Sequence, residues 1–568
     1  MSRAAVVLLC LAAACSHGEE RVKTGTADSP QQGTSGTAGV ADAGTAPTGA
    51  ERSGGLTGVA EHPRSRQPVE VDKASQPPQS AASAENVHVL ALPATQKPLV
   101  TIALRFTSGA LDDPRGKAGL TALAARVMAE GGTQALDAKS LLVALFPLAT
   151  SIDARVDKEL TTFAATVHRD NLEKLLPILV DVVMRPRWDP REFERLREAS
   201  VIDVEKRLRQ GDDENLGKET LHEVMYRGHP YGRLVEGHVT DLKSINLDEL
   251  KAHAAKVFTV DRLTVGVSGG YPQGLPERVA AAVAALPRGA TAQREVPQQR
   301  PQRPRFLLVE KEAEASAISC GFPWPLSRRD DDWPALSIAR SAFGEHRQFN
   351  GRLMQRLREQ RGLNYGDYAY IEHFEQAGGN AATAQLGRGR HQQDFTIWVR
   401  PVQNENRLFA LRTALYELSR TLDAEPFGQE EVDQTKAFLD GYILLFDQTD
   451  ARKLGYALDG DFLGTNDFLR GWRSALRGVS AGDVNNAWKK WIKPDQIQCV
   501  MVGPRMEEAK RVLLSDAETP MHYQPDAQGN VPQKPAELLE SDRAVNRFSF
   551  GARGDQDVAI VPVEKMFE

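Results

Sequence analysis

GKAGLTALAARVMAEGGT, residues 116–133, is the stretch from which this chain is read. Leu120, Leu123, Ala124, Val127 and Met128 recur there at helical spacing. Two β-like runs precede it, VHVLAL from Val87 and LVTIALRF from Leu99. Behind it, residues 149–156 and 159–167 alternate around Asp157-Lys158 and predict a hairpin. A long helical stretch (171–184), the segment MRPRWD and a charged helix from Pro190 to about Gln210 follow. LTVGVSGG, 263–270, ends the unit as a strand running into a glycine turn. The second half repeats this order. Strands are expected at 305–310 and 315–322, helices near 333–343 and 349–360, strands near 365–372, 379–387 and 394–400. Helices at 404–422 and 428–446 and the strand IQCVMVGP (497–504) complete it. A repeated strand, helix, hairpin, helices, strand order predicts an α+β protein of two similar domains, each an antiparallel sheet packed with helices.

The expected divisions are an N-terminal domain over 86–272, a Gln-, Arg- and Pro-rich linker over 273–304, a C-terminal domain over 305–510 and an extended tail over 511–568. The chain has 568 residues, a net charge of -6 and 41% hydrophobic residues. The balanced charge excludes a dedicated nucleic-acid binder, which would show a strongly basic face. No apolar run reaches the roughly 18–20 residues that span a bilayer. Residues 16–84 hold no Phe, Trp, Tyr, Ile or Met, too little apolar surface to offset the entropy of ordering them. Residues 16–85 are therefore expected to be a disordered linker.

Residues 1–15, MSRAAVVLLCLAAAC, carry Arg3 ahead of an apolar run that ends in small residues, as in a secretory signal. Leu11-Ala12-Ala13-Ala14-Cys15 resembles the lipobox of bacterial lipoproteins, with Cys15 as the lipidated residue; a cleaved signal peptide with an incidental Cys is the alternative. Ser16 supplies no inner-membrane retention signal, so the expected location is the cell envelope, lipid-anchored to the outer membrane and facing the periplasm. Cys320 and Cys499 lie in the apolar runs ISCGF and IQCVMV. They read as buried thiols, with a disulfide left open.

Several segments, in order, resemble the pitrilysin/insulinase peptidases, the inverzincins. GKAGLTALAARVMAEGGT is similar to the helix bearing their H-x-x-E-H zinc motif. SIDARVDKELTTFAATV is similar to the hairpin behind that helix, and LLPILVDVVMRPRWDPREFERLRE to the helix, proline turn and helix that follow. HPYGR (229–233) with Gly237, and LREQRGLNY (357–365), complete a resemblance over about 86–505. It implies one half of a peptidase clamshell.

The motif itself is missing. Alignment on Gly119-Leu120 and the closing Gly-Thr places Ala122 at the first zinc histidine, Ala125 at the catalytic glutamate and Arg126 at the second histidine. Alanine has no lone pair, and the fixed charge of Arg126 repels a metal cation. Glu205, seven residues after Glu198, resembles the remaining glutamate ligand, and a pairing of Arg126 with Glu205 across the empty position is expected. His222, His229, His238, His253, His346, His373 and His168 form no i, i+3 or i, i+4 pair that could replace it.

One functional element remains. Arg358 and Tyr365, seven residues apart, match the pair that in active members reaches the zinc centre, holds the substrate backbone and stabilises the oxyanion. By resemblance, the chain is a non-catalytic subunit of a heterodimeric zinc metalloendopeptidase, with zinc and catalysis in a two-domain partner and peptides as substrates. The alternative is a peptide-binding or scaffold protein without a peptidase role.

Overall fold

The computed structural model describes residues 87–94, 96–290, 296–374, 389–525, 528–531 and 533–568. Cys15, the linker over 16–85 and the strand expected at 379–387 lie outside the described residues. Five strands build the first sheet: β1 (His88–Pro93), β2 (Leu99–Phe106), β3 (Asp153–Val156), β4 (Thr161–His168) and β5 (Leu263–Gly269). Six build the second: β6 (Phe306–Glu310), β7 (Ala315–Trp324), β8 (Asp367–Tyr370), β9 (Gln393–Gln403), β10 (Gln498–Gly503) and β11 (Val558–Pro562).

The two sheets share a topology. The first runs β1-β5-β2-β4-β3 and the second β11-β6-β10-β7-β9-β8, so β11 is an addition to an otherwise matching order. β2 pairs antiparallel with β4 and β5, and β7 with β9 and β10. The antiparallel order expected from the sequence describes these central strands. Parallel pairs, β1 with β5 and β6 with β10, lie towards one edge of each sheet because the first and last strands of a unit run side by side. β2 and β7 are buried on both faces, so they read as continuous apolar runs rather than as alternation.

That two-sided burial comes from an exchange of helices. Helix Asp213–Met225, from the first half, lies on β7 and β10 of the second sheet. Helix Asp450–Leu463, at the corresponding place in the second half, lies on β5 and β1 of the first. Leu454 and Leu458 form a small core with Leu90 and Ala103. A Cβ on Gly266 would stand 3.0 Å from Leu454 and 3.1 Å from Leu458, so the glycine lets the helix lie close on β5. Arg105 of β2 donates to Asp459 at 2.6 Å, and Arg328 bonds both Asp459 and Glu372.

A second junction is polar. The hairpin turn Asp157-Lys158-Glu159 is buried, although turns normally face water. Arg390 makes a two-pronged ion pair with Asp157, His391 bonds Glu159 at 2.7 Å, and Tyr231 donates to the same carboxylate. Glu159 thereby holds His391 above the usual imidazole range.

Three expectations need correction. Residues 275–283, within the stretch read as linker, form helix Leu275–Val283 on β1 and β5, because Leu275, Val279, Ala280 and Val283 make a buried stripe. The tail over 511–568 is not merely extended. It carries helix Ala536–Asn546, and β11 adds to β6 in parallel. Cys320 and Cys499 are not free thiols. They face each other across β7 and β10 with Cα atoms 4.0 Å apart and are joined as a disulfide. The Cys499 amide bonds Arg305 on the other side, so this is a non-hydrogen-bonded pair, the closer kind in antiparallel sheets.

Candidate functional site

Helix Leu120–Glu130 is held at its start by a buried acid. The Asp113 carboxylate accepts from the Gly119 amide at 2.9 Å, the Thr121 amide at 2.8 Å and the Thr121 hydroxyl at 2.6 Å. Burial pushes Asp113 up to about 6 against these donors. Thr121 also meets His253 Nε2 at 2.8 Å. Gly119 (φ +90°) and Gly237 (φ +103°) pass so closely that a Cβ on Gly119 would stand 2.6 Å from the Gly237 Cα. That contact explains the glycine four residues after HPYGR: it locks the helix entry.

Leu120, Leu123, Ala124, Val127 and Met128 are buried, while Ala122 and Arg126 are half-exposed one turn apart. Ala125 is buried beside them. The Arg126 guanidinium donates to Asp203 at 2.8 Å and Ser200 Oγ at 3.1 Å, and pairs with Glu130 at 3.3 Å. The expected pairing of Arg126 with Glu205 does not occur: Glu205 pairs with Lys243 at 3.1 Å. Helix Pro190–Ile202 continues as a π-helical segment, Asp203–Leu208. Phe193, Leu196, Ser200 and Asp203 follow one stripe toward helix Leu120–Glu130, and Glu205 falls off it. That 3-4-3 spacing was the signal in the sequence that identifies Asp203.

These residues do not fit a zinc ion. Two positions carry methyl groups, the third carries a guanidinium neutralised by Asp203 and Glu130, and Arg207 shares Asp203 at 3.0 Å. Among the described residues no three His, Cys, Asp or Glu side chains converge as a metal site.

Arg358 stands on a second π-helical segment, Met354–Glu359, where an unbroken helix was expected; such segments recur at functional sites. Its guanidinium lies 5.0 Å over the Phe349 ring and 3.6 Å from Glu359. The turn that follows uses Gly362 (φ +69°) and Asn364, whose amide donates to Asp367 at 2.8 Å and to the Arg400 carbonyl at 3.0 Å. Tyr365, on that turn, is 81% exposed and makes no hydrogen bond among the described residues. Asp367 behind it is fully buried, and burial pushes its carboxyl up to about 8. No hydrogen bond, ion pair or ring contact among the described residues links Arg358 or Tyr365 to Arg126 or Asp203.

The insulinase (peptidase family M16) domain matches residues 89–238, and the peptidase M16 inactive domain matches 244–439. The chain belongs to the M16 family. The non-peptidase homolog YmxG of Helicobacter pylori is 22% identical over 414 residues, 72% of this M16 chain and 90% of that protein. The uncharacterized zinc protease YmxG of Bacillus subtilis is 22% identical over 366 residues, 64% of this chain and 83% of that one. An uncharacterized zinc protease of Mycobacterium tuberculosis is 26% identical over 238 residues, 40% of this chain; the M16 chain spans only about half (52%) of that relative. Among solved structures, a peptidase M16 inactive domain from Pseudomonas fluorescens superposes with a TM-score of 0.66 at 22% identity, over 75% of this chain and 98% of that one. A protease from Helicobacter pylori gives 0.62 at 16% identity, over 76% and 100%. These superpositions establish the M16 fold.

Proposed function

We propose that this chain is a non-catalytic subunit of a two-chain envelope peptidase. It completes the chamber of a zinc-bearing M16 partner and presents Arg358 and Tyr365 to the peptide there. One observation carries the reading: Tyr365 is held out by an ordered turn with no internal bond to satisfy, while the zinc positions carry Ala122, Ala125 and a neutralised Arg126. An exposed phenol on an ordered turn keeps both its donor and its acceptor free for a ligand. The inactive-domain match and the non-peptidase relative support the non-catalytic part of this reading.

The test mixes this chain with a two-domain homologue that carries an intact H-x-x-E-H motif and follows cleavage of a quenched fluorescent peptide. The mixture is expected to be active and each chain alone silent. Tyr365→Phe is expected to lower kcat about 10²- to 10³-fold, the cost of one lost oxyanion donor. An unchanged rate in an active mixture removes the pair from the mechanism, and chelator-sensitive activity from this chain alone removes the whole reading. Peptide capture without cleavage in every mixture would favour the peptide-binding alternative, which the non-peptidase name of the Helicobacter relative also fits.

Anchoring through Cys15 at the outer membrane belongs to the same proposal. A buried disulfide suits an oxidising, exported location. Cys15→Ser is expected to move the protein from the membrane fraction to the released fraction; retention in the membrane fraction would count against a lipid anchor.

A further inference from the structure

The turn Glu345–Gln348 closes with the Gln348 amide on the Glu345 carbonyl and places Arg347 at φ +56°. Glycine or asparagine is the usual choice there, and a long side chain in that conformation is a strained one. Arg347 is exposed, and among the described residues it has no ion pair. Its neighbours are already matched. Arg340 is paired with Glu345, and Lys218 and Arg400 share Glu214 at 2.9 and 3.4 Å. Among the described residues the ion pair of Arg358 is with the adjacent Glu359. Asp367, the acid buried beneath this surface, holds its proton at neutral pH and offsets nothing.

Position links these residues to the pair already described. Phe349, two residues after Arg347, is 55% exposed and lies under the Arg358 guanidinium. Arg347 also acts electrostatically on Tyr368 of β8, the strand that follows the Tyr365 turn. Arginine and exposed aromatic side chains with spare positive charge are the composition of a recognition surface for acidic chains.

We propose that the surface joining Arg347, Phe349, Arg358 and Tyr365 is a peptide-binding site selective for a carboxylate, with Arg347 as the selecting residue. The inference rests on the reading of Arg358 and Tyr365 as a peptide-holding pair and adds the substrate class to it: acidic peptides, through a side-chain or a chain-end carboxylate.

The test uses the full chain and fluorescein-labelled decapeptides of neutral sequence, followed by fluorescence anisotropy at low salt. One arm walks a single Glu through the peptide against its Gln counterpart. The other compares a free with an amidated C-terminus. The wild-type protein is expected to prefer the carboxylate in one arm about three- to fivefold, the range of one exposed ion pair, and the arm that responds identifies the source. Arg347→Asn, which tolerates the same backbone conformation, is expected to reduce the ratio of charged- to neutral-peptide affinity to about one. Arg347→Lys is expected to retain most of it. Equal binding of charged and neutral peptides by the wild-type protein, or a preference that survives Arg347→Asn, overturns the inference and leaves the peptide-holding pair standing. No binding of any peptide by the full chain overturns the inference, while the cleavage assay of the mixture decides the peptide-holding pair separately.

Discussion

At the scale of single residues, the informative positions are those where charge sits against expectation. Asp367 is one. Burial pushes its carboxyl up to about 8, with the Asn364 amide, Arg358 and Arg400 facing it. The folded protein keeps this proton over a range in which the unfolded chain has already released it. Stability therefore falls as pH rises from the ordinary carboxylate range towards 8 and levels off above it. Asp367→Asn keeps the contact with Asn364 and removes the titration. Its melting temperature is expected to exceed that of the wild type at pH 8, with the difference closing towards pH 4. The two arginines stay charged throughout, so a difference independent of pH would exclude Asp367 as the source. The loss of the zinc ligands at Ala122, Ala125 and Arg126 was legible in the sequence because residue types decide it. The partner of Arg126 was not. The distance from Glu198 points to Glu205, whereas the helix presents Asp203, and the stripe of buried neighbours separates the two.

At the scale of elements, strands and helices with strong periodicity were read nearly in place. The hairpin around Asp157-Lys158 and the helix of 171–184 appear as β3, β4 and Leu172–Met184. Helix Leu275–Val283 is hidden in the sequence by the Gln-, Arg- and Pro-rich residues that follow it. Composition averages over a range that one buried stripe can interrupt. The tail was read from its Pro, Gly and charge, which gave no hint of helix Ala536–Asn546. The disulfide could not be read either: Cys320 and Cys499 are separated by 179 positions, and only the register of β7 against β10 brings them together.

At the scale of the whole molecule, residues after β11 cross back to the first half. Met566 and Phe567 are buried in its core, the Val239 amide donates to the Phe567 carbonyl at 2.9 Å, and Arg209 binds the Met566 carbonyl and the Glu568 carboxylate. With β11 on β6, this segment straps one half to the other. Phe567→Ala is expected to destabilise the protein by about 3–5 kcal/mol, the usual cost of emptying a buried phenylalanine site. Urea unfolding followed by circular dichroism measures it. A midpoint within error of the wild type would reduce the strap to a surface contact.

The exchange of helices between the sheets also sets an order in time. During synthesis the first sheet emerges long before Leu454 and Leu458, which cover its outer face, and before Phe567, which enters its core. Until those segments arrive, β1, β2 and β5 have an apolar face with nothing against it. The first half therefore lacks part of its cover until the second is made, and its full packing waits for those segments.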